Sequence, residues 1–350
     1  MCINDNKRVF CDKIVFTFMV VNNNEMMKVS ILVPENSVMQ AIADPQYLLA
    51  AVNQFMVVAG KKPLFNVQLV GFKKQVRIND GLFSINTSQL LKDVKKTDLV
   101  IIPALFGNMK KAIASNKKAL PWIKEQYENG AEVASLCVGA FLLASTGLLN
   151  GKKCSTHWGF QNEFREMFPE VEVVDGSIIT EENGIYSSGG ANSYWNLLLH
   201  LVEKYTDRET AILASKYFAI DIDRESQTAF AMFTGQKNHT DDAVKKAQGF
   251  IENNFQEKIS IDDLTDLVSL GRRSFERRFK LATNNTVLEY IQRIKVEAAK
   301  RSFENSRKNM NEVMFDVGYT DTKAFRTVFK KITGLTPIKY RNKYNKMAVQ

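Results

Sequence analysis

Two stretches near the carboxyl end, FERRFKLATNNTVLEY at 275–290 and FRTVFKKITGLTPIKY at 325–340, carry matching residues at an offset of fifty positions. Phe275 pairs with Phe325, Phe279 with Phe329, Lys280 with Lys330, Thr283 with Thr333, Thr286 with Thr336 and Tyr290 with Tyr340. The two phenylalanines of each copy stand four apart with mostly basic or polar residues between them, which puts them on one face of a helix and turns the other face to solvent. Asn284 and Gly334 follow at matching positions, and these residue types best tolerate the left-handed turn that closes a helix. Thr286, with Glu289 three residues on, and Thr336, followed by Pro337, then have the composition of N-caps that open a further helix.

The repeat extends upstream. Leu264 and Leu267 in the first copy, and Met314 and Val317 in the second, mark a shorter apolar segment followed by a tight turn, with Gly271 and Asp321 at the start of each aromatic helix. Each copy therefore reads helix, turn, helix. The stretch 287–304 joins the copies, and Val287, Ile291, Ile294 and Ala298, spaced four, three and four, predict one amphipathic connecting helix. At about 1.5 Å per residue it would be roughly 27 Å long. Such a spacer can hold two reading helices against successive major-groove segments about 34 Å apart on one face of a duplex.

Charge points to the same partner. Residues 240–350 hold 22 Lys and Arg against 14 Asp and Glu, whereas residues 1–239 hold 25 against 24, so nearly all of the net +9 lies in the repeat. Arg272, Arg273, Ser274, Arg277 and Arg278 in the first unit, and Thr322, Lys323, Arg326, Thr327 and Lys330 in the second, are the candidate contacts to double-stranded DNA. Arginine can grip guanine O6 and N7, and either cation can neutralise phosphate. A charge run alone would also fit a solvated helix face, or a nucleoid or scaffold protein that binds DNA through charge without sequence preference.

The string GYTDTKAFRTVFKKITGLTPIKYR at 318–341 closely resembles the signature of AraC-type transcriptional regulators, and the stretch 264–306 is similar to their first helix-turn-helix plus linker helix. The resemblance spans about 241–344. The first unit departs from the family pattern, with Gly271 where Ser is common and NNTV at 284–287 where Gly-x-x-Pro is common.

The rest of the chain has the ordinary composition of a globular protein, 45% hydrophobic against 24% charged overall, and no stretch long enough for a transmembrane helix. The apolar run 14–21 follows Lys7, Arg8 and Lys13 but ends in Asn22, Asn23 and Asn24 without a small-residue cleavage site, which favours a cytoplasmic protein over an exported one. Residues 1–27 read as an extension or an upstream start. The four cysteines, Cys2, Cys11, Cys137 and Cys154, have neither metal-ligand nor disulfide spacing, and no cofactor or metal is expected.

From Lys28 to about Phe218, short apolar runs at 29–33, 66–71, 99–102 and 132–136 alternate with helical stretches at 38–58 and 110–129. That order predicts an α/β domain with a parallel, flavodoxin-like sheet and helices on both faces, whose ligands bind beyond the strand carboxyl ends. The expected organisation is an extension at 1–27, an α/β domain at 28–234, a short linker at 235–242 and an all-α domain of two helix-turn-helix units at 243–345.

At one such strand end Cys137 is followed by Val138, Gly139 and Ala140, which open a helix in the manner of a nucleophile elbow. A helix N-terminus favours thiolate, and His157 is a candidate base or hydrogen-bond partner; equally, Cys137 fits as a small buried residue and His157 as a satisfied, partly buried histidine. The segment resembles the PfpI-type branch of the class I glutamine amidotransferase-like superfamily, in the form that precedes AraC domains in GlxA-like regulators. The resemblance rests on SLCVGAFLLASTGLL, the THW around His157, SSGGANSYWNLLLHLVE and DIDRESQTAF.

Carried over by position, that resemblance puts the elbow nucleophile at Cys137 and its partner at His157. Glu35 and Asp44 are candidates for the third, orienting acid, with Gln40 near where relatives often have Asp. Pro103 to Gly107 replaces a common Pro-Gly-Gly turn, and Asn196 replaces a frequent Asp. The resemblance implies a sensor of a small, nitrogen-containing metabolite, with Cys137, His157, Val138, Gly189 and Gly190 at the ligand and Ser188 beside them. A cysteine-dependent amidase or hydrolase using Cys137, His157 and Glu35 is the alternative. Homodimerisation and contact with RNA polymerase are the further expectations, and none is drawn with a membrane.

Overall fold

In a computed structural model the described residues are 26–345, apart from 223 and 225. The apolar run 14–21, Cys2, Cys11 and all but the last two residues of the expected extension lie outside them. The chain divides into two compact units, one ending at Gln227 and the other beginning at Thr228. Among the described residues no helix is long and apolar enough to cross a membrane.

The first unit contains strands β1 (Met27–Leu32), β2 (Phe65–Gly71), β3 (Gln75–Ile78), β4 (Phe83–Asn86), β5 (Gln89–Leu90), β6 (Leu99–Ile102), β7 (Glu132–Ser135), β8 (Lys153–Cys154), β9 (Glu172–Val173), β10 (Ile179–Glu182) and β11 (Ile185–Ser188). Seven of them form one sheet in the order β10, β11, β7, β6, β1, β2, β5, parallel throughout except for β10. Every residue of β6 is buried, as is the second half of β1, the expected composition of strands covered on both faces. Helices flank the sheet, among them Gln40–Val58 and Tyr194–Tyr205.

Two details differ from the sequence expectation. The antiparallel edge comes from a two-residue hairpin in which Asn183 and Gly184 both take positive φ, 53° and 74°, the conformation that Asn-Gly turns supply between strands. The helical stretch expected over 110–129 is two helices, Met109–Asn116 and Ala119–Glu128. Pro121 accounts for the break: it has no N–H to give to the carbonyl of Lys117, and its ring crowds that carbonyl. The chain instead turns through Lys117 and Lys118, with Leu120 N–H on the Lys117 carbonyl at 3.2 Å.

In the second unit the repeat is realised twice over. The aromatic helices are Arg272–Thr283 and Thr322–Thr333, each closed by a left-handed residue, Asn284 at φ 55° and Gly334 at φ 74°. Thr283 and Thr333 then make the same bonds: each donates to the carbonyl four back, Phe279 at 2.7 Å or Phe329 at 2.8 Å, and each accepts the N–H two on at 3.2 Å. Thr286 caps the next helix in a box with Glu289, and Thr336 caps the Pro337–Tyr344 helix. Phe275, Phe279, Phe325 and Phe329 are fully buried.

The connecting helix, Val287–Asn305, does not carry a single stripe. Val287, Tyr290, Ile291 and Ile294 join Phe275 and Phe279 in one core, whereas Val296, Ala299 and Phe303 join Phe325 and Phe329 in another. At about 100° per residue the two sets lie roughly 160° apart around the helix axis. Ala298, expected in one stripe with Val287, is half-buried against the second core. One helix thus serves two cores with nearly opposite faces.

Candidate functional site

The carboxyl ends of β7 and β11 bring together most of the residues singled out in the first unit. β7 runs into a tight turn at Cys137–Gly139 and then a short helix, Ala140–Ala144. Cys137 takes φ 57°, a left-handed backbone that non-glycine residues rarely adopt, as the elbow motif requires. Gly139 permits the turn, because a Cβ there would stand 2.6 Å from the Pro103 carbonyl oxygen and 2.7 Å from that of Ile102. The Cys137 N–H donates to Ser188 Oγ at 3.0 Å, and Thr156 Oγ1 donates to the Cys137 carbonyl at 3.2 Å.

Gly190 lies against His157, whose ring a Cβ would meet at 2.3 Å. Gly189 lies against Gln227, a side chain 1% exposed whose Oε1 accepts from Gly190 N–H at 2.9 Å and whose Nε2 donates to the carbonyls of Thr156 and Ser177. Gln227 therefore ties three loops together, and sequence reading gave it no role although it sits in the DIDRESQTAF string. Tyr194 is a second such residue: it is 4% exposed and donates to Asp44 Oδ2 at 2.5 Å. Burial, reinforced by the Asp44 carboxylate and by Cys137, drives its phenol well above the usual range.

Local chemistry opposes nucleophilic catalysis. Burial pushes the Cys137 thiol up to about 11, against the smaller, opposite influence of the Ala191 and Val138 N–H groups. The effect expected from a helix N-terminus is thus outweighed by desolvation, which disfavours the charged form. His157 Nδ1 accepts the Gly159 N–H at 3.0 Å, so in the neutral ring the proton sits on Nε2. Burial also lowers its pKa, and among the described residues no acid is hydrogen-bonded to Nδ1. No hydrogen bond joins the thiol to the imidazole.

Glu35 is occupied elsewhere, with Oε1 2.9 Å from Lys73 Nζ on an exposed surface, and Asp44 is held by Tyr194. In the loop that replaces Pro-Gly-Gly, Phe106 N–H is taken by the Asn36 carbonyl, so that N–H is not free to serve as an oxyanion donor. Asn196 donates to the Asp221 carbonyl at 2.6 Å and lines a polar cavity of about 300 Å³ with His200, Glu203 and Arg208, apart from Cys137. Among the described residues no cluster of three or more His, Cys, Asp or Glu is placed to hold a metal.

In the second unit, Arg272, Arg273 and Arg277 are exposed and Ser274 is half-buried, while Lys323, Arg326, Thr327 and Lys330 are exposed and Thr322 is half-buried. The burial of the paired phenylalanines fixes this orientation, since it commits the opposite face of each helix. Arg278 differs. Its guanidinium grips Asp241 with Nε and Nη2 each at 2.8 Å, and Asp241 in turn caps the Asp242–Asn254 helix. Arg278 is thus committed to Asp241 and braces the first helix-turn-helix.

Residues 28–204, just over half of the chain, match the DJ-1/PfpI family, and residues 264–343 match a helix-turn-helix domain. The chain belongs to the DJ-1/PfpI family and carries an AraC-type helix-turn-helix domain in its carboxyl-terminal part. Among curated relatives, the HTH-type transcriptional regulator GbdR of Pseudomonas aeruginosa is 24% identical over 265 residues, covering 75% of this chain and 71% of the relative. The HTH-type transcriptional regulator ArgR of the same species is 24% identical over 221 residues, covering 63% and 67%. A crystal structure of an AraC family transcriptional regulator from Pseudomonas putida aligns with TM-score 0.47 and 17% identity over 55% of this chain and 99% of that one.

Because only thiolate is reactive, alkylation of Cys137 by iodoacetamide is expected to accelerate with rising pH up to about pH 10 without levelling off, the sign required by a raised thiol. A rate plateau with a midpoint below pH 8, followed by mass spectrometry of the 137-containing peptide, would contradict the buried, neutral thiol.

Proposed function

We propose that the chain is a sequence-specific DNA-binding transcriptional regulator whose first unit senses a small, nitrogen-containing metabolite. The observation that carries the DNA reading is the doubling of one arrangement. Two helices bury equivalent phenylalanine pairs and turn equivalent edges, Arg273 and Lys323 among them, to solvent. Nearly all of the excess positive charge of the chain lies in that unit, which suits phosphate neutralisation as well as groove contacts. The relatives bearing regulator names span both parts of the chain.

Sensing is favoured over turnover because the thiol is neutral and, among the described residues, no acid orients the imidazole. The left-handed backbone at Cys137 is a feature that an amidase would share, and a fold alone does not set function. Cys137, Val138, His157, Gly189 and Gly190 are assigned to the walls of the ligand site. The regulator acts as a homodimer in the cytoplasm, with RNA polymerase as a further partner, and a ligand changes DNA binding only through different affinities for two arrangements of the protein.

Duplexes selected from a random pool should converge on a defined sequence. Arg273→Ala is expected to relax selection at one position at a cost of about 1–3 kcal/mol if the side chain reads a base, and a phosphate-only cation should instead weaken all sequences alike and flatten the salt dependence. Failure of the wild-type chain to enrich any sequence would refute the reading. For the first unit, thermal unfolding of the full chain in a panel of small amines, amino acids and betaines should reveal a stabilising compound, since a ligand that binds only the native state raises the melting temperature. The shift should vanish in Gly190→Ala, whose Cβ would force the His157 ring out of its place; a shift that survives it would move the effector site elsewhere.

A further inference from the structure

We propose that Lys295 is a positioning residue for DNA recognition, a clasp that fixes the two helix-turn-helix units relative to one another and so sets the spacing at which both reading helices meet one duplex. This rests on the DNA-binding reading above. Lys295 stands on the connecting helix about 80° from Val287 and about 40° from Ala299, in the seam between the faces that serve the two cores. Its side chain is buried, 8% exposed. The ammonium donates to the Gly318 carbonyl at 3.1 Å and to the Glu257 carbonyl at 3.4 Å, and lies 5.4 Å from the centre of the Tyr319 ring.

The two carbonyls belong to different units. Glu257 precedes the Ile261–Val268 helix of the first, and Gly318 closes the Met310–Asp316 helix of the second, in the turn before its reading helix. Their backbones approach closely at this point. A Cβ on Gly318, where φ is 72°, would stand 2.0 Å from the Gln256 carbonyl oxygen and 2.7 Å from Lys295 Nζ. Lys295 is therefore the side chain that bonds both units where they touch.

Stability alone gives no reason for a lysine there. A buried ammonium is penalised by desolvation, and burial does lower this group's pKa against the smaller, opposite pull of the Glu257 carboxylate; an apolar side chain of similar volume is often as stable or more so. What an apolar residue would not supply is a pair of directed bonds that define an angle. Lys300 occupies the opposite seam, 4% exposed, with Nζ on the Ala231 carbonyl at 2.7 Å and on Glu297 at 2.9 Å. It fastens the segment that enters the unit, whereas Lys295 bonds both repeats.

The test uses the full chain and a duplex that the wild type selects from a random pool. Wild type, Lys295→Met and Lys295→Arg are titrated against that duplex, against versions with one of the two segments scrambled, and against versions with one or two base pairs inserted between them. Melting temperatures are recorded in parallel. Lys295→Met is expected to weaken binding to the two-segment duplex about tenfold or more, because rigid linkage is what makes the second contact intramolecular, while single-segment binding stays unchanged and the penalty for inserted base pairs shrinks. Lys295→Arg, which keeps the donors and the charge, should restore both affinity and spacing dependence. Equal losses on one-segment and two-segment duplexes would reduce Lys295 to a structural residue and overturn the proposal, as would wild-type behaviour of Lys295→Met. If Lys295→Met does not fold, Lys295→Gln is read in the same way. A wild-type chain that selects no sequence overturns the DNA reading itself and this proposal with it; one that selects a sequence while Lys295→Met matches it overturns only the clasp.

Discussion

The carboxyl-terminal unit depends on one helix being claimed by two hydrophobic cores. Val287–Asn305 is 19 residues long, and its amino half turns one face to Phe275 and Phe279 while its carboxyl half turns nearly the opposite face to Phe325 and Phe329. Neither three-helix unit completes its core without this helix, so the rotation along it decides where each reading helix points. Tyr290 and Tyr340 repeat the arrangement at the next level: each packs edge-on against its phenylalanine, at 5.3 and 5.4 Å, and each donates its hydroxyl to a carboxylate, Glu252 or Glu304. The exposed arginines and lysines acquire their direction from what is buried behind them.

In the first unit the governing quantity is desolvation at the end of the sheet. The chain spends conformational strain at Cys137 and admits a glycine at position 139 where no side chain would fit, yet the thiol produced is neutral and hard to ionise. An elbow is thus a geometric device that can place a side chain at a ligand as well as at a scissile bond. The neighbouring imidazole follows the same logic, since its Nδ1 is satisfied by its own chain two residues on.

Much of this was legible in the sequence, and what was not has a common cause. The paired phenylalanines, the caps at Thr286 and Thr336 and the left-handed stops at Asn284 and Gly334 are local signals, and local spacing carries them. Val29, Ile101 and Val133 likewise announce buried strands by composition. Pro121 and the Asn183–Gly184 pair are local signals too, but each is one short break inside a longer helical or parallel-strand pattern that dominates the periodicity. The seam at Lys295 had a visible trace, since Val296, Ala299 and Phe303 fall out of phase with Val287 and Ile291, but a single-stripe reading averages that away. Tyr194 on Asp44, Gln227 on Thr156 and Arg278 on Asp241 join residues 150, 71 and 37 apart. No periodicity encodes such contacts, and that is why the braces of both sites emerged only from the fold.

The claim that two helix-turn-helix units act as one reading head is tested most directly by hydroxyl-radical footprinting of the full chain on its selected duplex. The account predicts two protected patches on one face of the duplex, centred about 10 base pairs apart, one helical turn. A single patch, or two patches on opposite faces, would contradict it.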